Sequence, residues 1–518
     1  MLRKSSLDVV PLLPAPLSAG DRPAAGRTRA VTSVGRFRRP TRVSPFLVFG
    51  GLFWLTMTLA AWRLPMGGDF GQHAAVVERL RADLLHPRHP MADLPGAGSP
   101  YYSPYAVLEG VFARTTGLSG VTVVRLAAPL NLLVLLTGLN RFVRSLTPRP
   151  WAPVLALAAM TLLWGTHAIQ WSGYLGLLSM TSTLGYPSAC ASGLAFWAWA
   201  WAGRLRAGSP WWGYAGLGAL LGLILLVHPI SSVAALIGVL AVAPRTLGPR
   251  WALTGAAAAA TALAWPYYDV LALAGDSSVD EIHRRLYDRL PAHFWLALIG
   301  LPPLWLRLRR DRRDPLALMF AADLLVVAYG WVSGHYTYGR IMGLALVPLQ
   351  FSLAIALAAP RPWRRPRRLL GMVAAAGAAV GFVTAQGGAV VPRALPQPPM
   401  WQSYTWAARH IPPGEVVLTD GHRPVRSLPG LGPNLVAPAW PDPALDERER
   451  ERRRAAVRAY LSPDSTRARR TAIVHRYDVR WLLTEKGQRL PPEAVVVDRG
   501  PRTGEVLARV GGTPRATR

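Results

Sequence analysis

The sequence predicts an α-helical polytopic membrane protein followed by a small extracytoplasmic α/β domain, and three observations lead to this fold class. The 518 residues are 51% hydrophobic and include 20 tryptophans, more than an ordinary soluble protein of this length carries. Long uncharged runs recur between residues 45 and 391. From about residue 400 the pattern changes to short helical and strand-like segments.

Residues 1–44 are rich in proline, alanine and arginine and predict a disordered, basic, cytoplasmic tail. We interpret 45–391 as the transmembrane domain, because runs of about 20 apolar residues can cross a bilayer. About eleven spans are predicted, at 45–64, 121–139, 151–166, 188–203, 211–228, 229–243, 251–268, 291–306, 315–331, 340–359 and 369–391.

The arginines predict the orientation of these spans. Clusters such as 141–149, 244–250 and 307–314 each follow an even-numbered span, and cytoplasmic loops carry the excess of lysine and arginine. The pattern places the N-terminus in the cytoplasm and the C-terminus outside, with the protein in the cell (plasma) membrane. The formal net charge of +30 is confined to such clusters, so it signals topology rather than nucleic-acid binding.

The remaining region, 392–518, predicts an extracytoplasmic α/β domain. Its helical segments are 400–410, 446–461 and 467–477, and its strand-like segments are 415–420, 479–484, 494–498 and 505–510.

The first external loop is long, about 65–120, and begins with the stretch "PMGGDFGQHAAVVERL". Within it, Val77, Leu80 and Leu84 recur at helical spacing. This spacing predicts an amphipathic helix lying along the membrane surface.

Asp69 stands between the end of the first span and this helix, with His73 one turn further on. A carboxylate there could act as a general base on an acceptor hydroxyl, and His73 could share a proton, orient the acid or help to hold a divalent cation. Gly67 and Gly68 would let the backbone approach closely. The alternative is that Asp69 merely caps the helix, and the two interpretations are compatible.

The motif "GGDFGQH" at 67–73 and the stretches "LLVHPIS" at 225–231, "WPYYDVL" at 265–271 and "SGHYTYGR" at 333–340 resemble the GT-C superfamily of membrane glycosyltransferases, which includes polyprenyl-phosphate-mannose and -arabinose transferases. The resemblance covers most of 45–490 and implies transfer of a sugar from a polyprenyl-phosphate carrier, with inversion, to an extracytoplasmic envelope acceptor. The implied partners are that carrier, membrane lipid and a glycan, lipid or protein acceptor.

The resemblance also implies roles for particular residues. Asp69 matches the catalytic acid of the first loop, with His73 beside it. Arg340, flanked by His335 and Tyr338, is expected to hold the carrier phosphate, since a guanidinium makes bidentate phosphate contacts. The alternative is an interfacial arginine that snorkels, with the tyrosine in an aromatic belt around it. Many members carry a second acid directly after the first, where this chain has Phe70. No cofactor is therefore certain, and a requirement for a divalent cation stays open.

Three further residues are candidates for substrate binding. His228 precedes a proline at a predicted external turn and could donate to phosphate or sugar, or simply belong to the turn. Tyr267 could stack on a sugar ring and Asp269 could accept from sugar hydroxyls, with an aromatic belt and an ordinary loop acid as the alternatives.

Other functional classes have less support. No nucleotide-binding loop, dinucleotide fingerprint or hydrolase elbow occurs in the sequence. A lipid or polysaccharide transporter, or a non-catalytic protein of envelope assembly, is the rival interpretation. Transporters place polar groups at mid-membrane and show related halves, whereas only Asp323 lies deep within a predicted span and no repeat is evident.

Overall fold

Helices dominate the described part of the chain, as the apolar runs predict. A computed structural model describes residues 44–510 except 65, 95–97, 245–246, 274–276, 361–363, 396, 398 and 443–444. The predicted tail, 1–44, lies outside the described residues apart from Ser44.

The helices of the apolar region are α1 Pro45–Arg63, α2 Phe70–Ala82, α3 Pro104–Thr116, α4 Gly120–Leu146, α5 Ala152–Leu162, α6 Leu177–Ser182, α7 Pro187–Ala202, α8 Trp211–Val227, α9 Pro229–Val242, α10 Arg250–Leu263, α11 Asp280–His283, α12 Leu290–Phe294, α13 Leu301–Arg310, α14 Pro315–Ser333, α15 Met342–Ala345, α16 Val347–Leu357 and α17 Arg365–Gly381. Short 3-10 segments are Val270–Leu273, Arg284–Tyr287, Trp295–Gly300, Tyr336–Ile341 and Gly387–Ala389, and Phe382–Gln386 is a π-helical turn.

Several of these helices can cross a membrane. Among the described residues, five stretches are long and apolar enough: Pro45–Arg63, Gly120–Leu146, Pro315–Ser333, Tyr336–Leu357 and Arg365–Ala389. Shorter apolar helices are Ala152–Leu162, Trp211–Val227 and Pro229–Val242. A multi-pass helical membrane architecture is thus confirmed. The count of eleven spans and the orientation of the termini stay predictions.

The core of the helical region is built around the contact between α4 and α7. Gly138 of α4 meets Gly193 of α7 so closely that a Cβ on Gly138 would lie 2.6 Å from the Gly193 carbonyl oxygen. Phe142 and Trp199 pack edge to face there, with ring centroids 5.1 Å apart. Small residues allow such helices to approach, and van der Waals packing then stabilises the pair.

The first loop packs against other parts of the chain. On α2 the predicted apolar positions Val77 and Leu80 are buried, and so are most residues of the first two turns, including Phe70 and Gln72. The helices α3 and α4 and the segment Leu428–Leu431 pack against α2, and its placement along the membrane surface stays a prediction. Exposed apolar side chains of this loop are Leu85, just after α2, and Leu108 and Phe112 on α3.

The C-terminal region contains a five-stranded sheet. Its strands are β1 Val416–Leu418, β2 Asn434–Leu435, β3 Val479–Thr484, β4 Val495–Arg499 and β5 Val506–Arg509, and its helices are α18 Thr405–Ala408, α19 Pro424–Ser427, α20 Glu447–Leu461 and α21 Arg467–Arg476, with a 3-10 segment Leu428–Leu431. The strand order is β2-β1-β3-β5-β4. β1 runs parallel to β2 and β3, while β5 is antiparallel to β3 and β4. The domain boundary at 392 stays a prediction.

Backbone pairing joins the first loop to this sheet. The amide of Leu435 in β2 donates to the Met91 carbonyl at 2.9 Å, and Ala92 forms a parallel bridge with Leu435. Near the end of α1, Trp401 donates its amide to the Met66 carbonyl at 2.8 Å. The C-terminal region is therefore held against both ends of the segment that carries Asp69.

Candidate active site

Asp69 occupies the N-terminal cap position of α2, but its carboxylate caps nothing. Its backbone carbonyl accepts the amides of Gln72 at 3.0 Å and His73 at 3.3 Å, whereas the side chain makes no capping bond. Within the described residues, the enclosed Oδ1 atom has no hydrogen-bond partner. The side chain as a whole keeps 44% of its exposure. A carboxylate that does not cap the helix and is partly exposed is available to a substrate.

The backbone before Asp69 is fixed by close contacts. Gly67 donates its amide to the Ser182 carbonyl at 2.8 Å and accepts the Tyr186 hydroxyl at 3.0 Å. A Cβ on Gly67 would lie 2.9 Å from Nε2 of the Gln170 side chain. A larger residue at position 67 would therefore displace the Gln170 side chain. The Tyr186 ring also packs on the His73 imidazole, with centroids 4.2 Å apart. The glycine thus lets the loop sit against the segments before and after α6.

Arg340 faces the same space from the 3-10 segment Tyr336–Ile341. Its Nη2 atom lies 2.8 Å from Nε2 of His228, the residue between α8 and α9. Because a guanidinium can only donate, Nε2 of His228 accepts from Arg340. The other ring nitrogen, Nδ1, lies 2.9 Å from the Ser231 hydroxyl and accepts the Ser231 amide at 3.3 Å. The Nε atom of Arg340 is enclosed and has no partner among the described residues. One neutral histidine therefore orients the arginine and leaves donor capacity unused.

A hydrogen-bond network behind Arg340 fixes its segment. Asp280 of α11 accepts the Thr337 amide at 2.8 Å and the Thr337 hydroxyl at 2.6 Å. The same hydroxyl lies 2.8 Å from Nδ1 of His283. His335 completes the network, with Nδ1 3.2 Å from the Asp280 carboxylate. Burial and then Arg340 lower the pKa of His283 to about 3, so this imidazole is neutral at physiological pH.

Arginines from two parts of the chain act on Asp69. Burial raises the pKa of Asp69 above the ordinary aspartate value, while Arg426, Arg340 and His422 oppose the rise. A carboxylate whose pKa is raised is a stronger base once it is ionised. Burial, followed by Arg340, lowers the pKa of His73 to about 4. His73 is thus a neutral neighbour of the acid rather than a second charge.

The C-terminal region contributes directly to this site. Nη1 of Arg426, in α19, lies 3.9 Å from Oδ1 of Asp69. The Arg426 guanidinium stacks on the Trp440 ring at 4.2 Å from its centroid, and Trp440 also opposes the rise in the pKa of Asp69. Asp69 therefore lies between a cation from the helical region and a cation from the C-terminal region.

The structure brings four of the predicted residues together and places four elsewhere. Asp69, His73, His228 and Arg340 share one site. Of the others, His335 belongs to the network behind Arg340. The Tyr338 ring packs against Tyr329, with centroids 5.7 Å apart.

Tyr267 and Asp269 have other partners. The Tyr267 hydroxyl donates to the Leu84 carbonyl at 2.7 Å, so it holds the end of the first-loop helix. Asp269 accepts the Leu271 amide at 2.8 Å in an exposed turn. Their predicted roles in substrate binding stay predictions, without a contact to the Asp69 site in the described part of the chain.

The groups around Asp69 do not match the donor set of a divalent cation. Its nearest charged neighbours are the guanidinium groups of Arg426 and Arg340, which repel such an ion. Within the described residues, no cluster of three or more histidine, cysteine or acidic side chains has the arrangement of a metal site. We derive no catalytic step through a metal.

Sequence reasoning missed the residues supplied by the C-terminal region. Arg426 is one of many arginines in the chain, and Trp440 lies in a proline-rich stretch without a periodic pattern. His422 is exposed but lies close enough to Asp69 to influence its pKa. The pKa of Tyr101, in the stretch "YYSPY", is raised by burial and by Asp442 and Asp69.

Comparison with solved structures identifies the fold. Similar chains include the arabinofuranosyltransferase AftD from Mycobacteria (TM-score 0.53, 15% identity, covering 90% of this chain and 40% of that one) and ArnT from Cupriavidus metallidurans bound to undecaprenyl phosphate (TM-score 0.52, 15% identity, covering 91% of this chain and 100% of that one). The archaeal oligosaccharyltransferase AglB from Archaeoglobus fulgidus, in complex with an inhibitory peptide and a dolichol-phosphate, gives a TM-score of 0.50 at 10% identity, covering 85% of this chain and 69% of that one.

No protein-family model and no curated protein matches the sequence. The chain spans 40% of the AftD chain it matches, and at these identities the likeness concerns the fold. The similar structures are GT-C glycosyltransferases. The resemblance predicted from the sequence is thereby confirmed at the level of architecture: this chain has the GT-C fold.

Proposed function

We propose that this chain is an integral membrane glycosyltransferase that moves a sugar from a polyprenyl-phosphate carrier to an extracytoplasmic envelope acceptor. The observation that carries the proposal is the meeting of a free carboxylate and an arginine with an unused donor. Asp69 and Arg340 are separated by most of the helical region in sequence, yet Arg340 acts on the pKa of Asp69. Carriers of this class are bound in ArnT and AglB.

In the proposed reaction, Asp69 accepts the proton of an acceptor hydroxyl. The oxygen then attacks the anomeric carbon as the bond between that carbon and the phosphate oxygen breaks, with inversion at carbon. The bonding electrons leave with the polyprenyl phosphate, and Arg340 stabilises the charge that develops there. His228 orients Arg340 through the 2.8 Å contact. The neutral imidazole of His73 lines the site beside Asp69. Protonated Asp69 returns its proton to solvent.

The charges of the site suit this division of roles. The phosphate of the leaving group is anionic throughout, so a permanent cation with a free Nε donor is appropriate on its side. The acceptor hydroxyl is neutral and needs a base with access to substrate, which the partly exposed Asp69 side chain provides. The orientation predicted by the arginine clusters would open this site to the extracytoplasmic side.

Replacement of Asp69 tests the proposal. We expect Asp69→Asn to lower sugar transfer by about 10²–10⁴-fold, the usual contribution of a general base. The assay uses the full-length protein in proteoliposomes with envelope glycolipid extract and labelled undecaprenyl-phosphate-arabinose or -mannose. Asp288→Asn is the matched control, because Asp288 is an exposed aspartate outside the site. Undiminished transfer by Asp69→Asn would remove Asp69 from the mechanism. Binding of the carrier without transfer by the wild type would favour the non-catalytic alternative.

A further inference from the structure

The C-terminal region packs directly against α2, the helix that follows Asp69. A Cβ on Gly71 would lie 2.2 Å from the Arg426 carbonyl oxygen, and a Cβ on Gly430 would lie 2.5 Å from the Gly71 carbonyl oxygen. The two backbones therefore touch without any side chain between them. About two turns further along α2, Arg79 donates to the Gly432 carbonyl at 3.0 Å and the Pro433 carbonyl at 2.9 Å. Such contacts fix the first turn of α2 relative to α19.

This backbone packing places one charged side chain, that of Arg426, beside the proposed base Asp69. The Arg426 side chain is 21% exposed, and its Nη1 atom faces the enclosed Oδ1 of Asp69 at 3.9 Å. Stacking on Trp440 at 4.2 Å holds the guanidinium in this position. A surface ion pair could not be this constrained, since exposed arginines keep most of their rotamer freedom.

We propose that Arg426 is a positioning residue for Asp69: the C-terminal region places a guanidinium charge 3.9 Å from the base, and the site is complete only when that region is docked on α2. This inference rests on the proposed function, because it takes Asp69 to be the base. It assigns to the C-terminal region a part in catalysis, beyond any role in binding an acceptor.

The electrostatics agree with this geometry. Burial raises the pKa of Asp69, and Arg426 is the largest of the influences that oppose the rise. A base works only in its ionised form, so activity is present above the pKa of Asp69 and lost below it. Loss of the Arg426 charge would raise that pKa further, and the acidic limb of the pH-rate profile would move to higher pH. The other ionisable groups that act on Asp69 or are acted on by it are Arg340, His422, Tyr101 and Tyr186, with His73 on the same helix.

The alternative is that Arg426 only fastens two parts of the protein together. In that case its removal would lower the amount of active enzyme equally at every pH. The pH dependence of the rate separates the two roles, and so does rescue by a lysine, which restores the charge but not the planar stack on Trp440.

The test measures kcat/KM between about pH 5 and 9 for the full-length protein in proteoliposomes, with labelled undecaprenyl-phosphate sugar as probe. We expect Arg426→Gln to shift the acidic limb of the pH-rate profile upward by about one pH unit, so that kcat/KM falls by up to about tenfold on the acidic side of the limb and recovers at alkaline pH. With Arg426→Lys, the acidic limb of the pH-rate profile should lie close to its wild-type pH. Arg423→Gln is the matched control, since Arg423 is exposed three residues earlier and its side chain donates to Gln402 rather than to Asp69.

The outcomes separate this inference from the proposed function. An inactive Asp69→Asn together with an Arg426→Gln whose limb is unshifted would overturn the role of Arg426 alone. A fully active Asp69→Asn would overturn both. If Arg426→Gln does not fold, Trp440→Leu decides the question, because it removes the ring that holds the Arg426 guanidinium beside Asp69 and leaves the Arg426 charge in the chain. A smaller upward shift of the limb is then expected, and a limb at the wild-type position would refute the proposal.

Discussion

The arginines of the Asp69 site and those of helix α20 show how one residue type serves two purposes. On α20, Arg450, Arg452 and Arg453 bind Glu447 and Glu449 of the same helix at 2.5–2.9 Å. In the site, Arg340 has a neutral histidine as its partner and an Nε atom with none among the described residues. Local acids neutralise the first set, whereas the second keeps its charge for something else.

The comparison teaches that charge density in this sequence is a poor guide to function. The segment "DERERERRRAAVR" contains the densest charge of the C-terminal region, yet its spacing of three and four residues pairs opposite charges along one helix. Arg340 and Arg426 are isolated in sequence and reach their partners only through the tertiary fold. An arginine that is enclosed and incompletely paired is the informative one.

The largest expected effect is at Arg340. Arg340→Gln should lower kcat/KM for sugar transfer by about 10²–10³-fold, because the leaving phosphate would lose its charge-assisted donor. Arg340→Lys should recover only part of this, since an ammonium lacks the planar fork that contacts His228 and phosphate together. Transfer kinetics in proteoliposomes provide the measurement. A wild-type kcat/KM for Arg340→Gln would show that this enclosed arginine is structural, like those of α20.

The chemistry of the site could be partly predicted from the sequence. Asp69, His73, His228 and Arg340 stand at the ends of apolar runs, and hydropathy shows which residues flank a helix. Tyr267 and Asp269 stand at a similar position, but their side chains bond to the first loop and to their own turn. Hydropathy does not show which loops meet, so these two cases could not be separated from sequence.

The fold could be predicted at a similar level. The long helices and the strands β1, β3, β4 and β5 follow apolar periodicity, and the structure contains them. The strand β2 has two residues and carries no periodic signal. The burial of α2 could not be predicted either, because one of the segments that packs against it is Leu428–Leu431, about 350 residues later in the sequence. For the same reason Arg426 was not predicted as a neighbour of Asp69.

A smaller effect, on stability rather than on catalysis, is expected when two glutamates are compared in the same way. Glu451 on α20 binds Arg458, which lowers its pKa, whereas burial raises the pKa of Glu109 in the first loop to about 8, with a hydrogen bond from Tyr105 opposing the rise. The native state thus binds the Glu109 proton more tightly than the unfolded chain does. Its contribution to stability is complete below the ordinary glutamate pKa and is lost as the pH rises through 8.

Glu109→Gln tests this difference, since glutamine stays neutral at every pH. At pH 9 the variant should unfold a few degrees higher than the wild type, and near pH 5 the two should unfold at about the same temperature. Thermal unfolding in detergent micelles, followed by intrinsic tryptophan fluorescence, gives both values. A variant that is equally or less stable at pH 9 would mean that Glu109 is ionised and paired in the folded protein.

The smallest effect is expected on α20 itself. Arg452→Gln removes a guanidinium that is 59% exposed and 2.9 Å from Glu449, but Arg453 still binds that carboxylate at 2.9 Å. Because exposed ion pairs contribute little, the free energy of unfolding should change by no more than about 0.5 kcal/mol, and kcat/KM for transfer should stay at the wild-type value. A tenfold loss of transfer would contradict the comparison, since an exposed and locally neutralised arginine would then act on substrate. Equal transfer by Arg452→Gln and loss by Arg340→Gln would show that enclosure and missing acid partners, rather than arginine content, mark the functional cations of this protein.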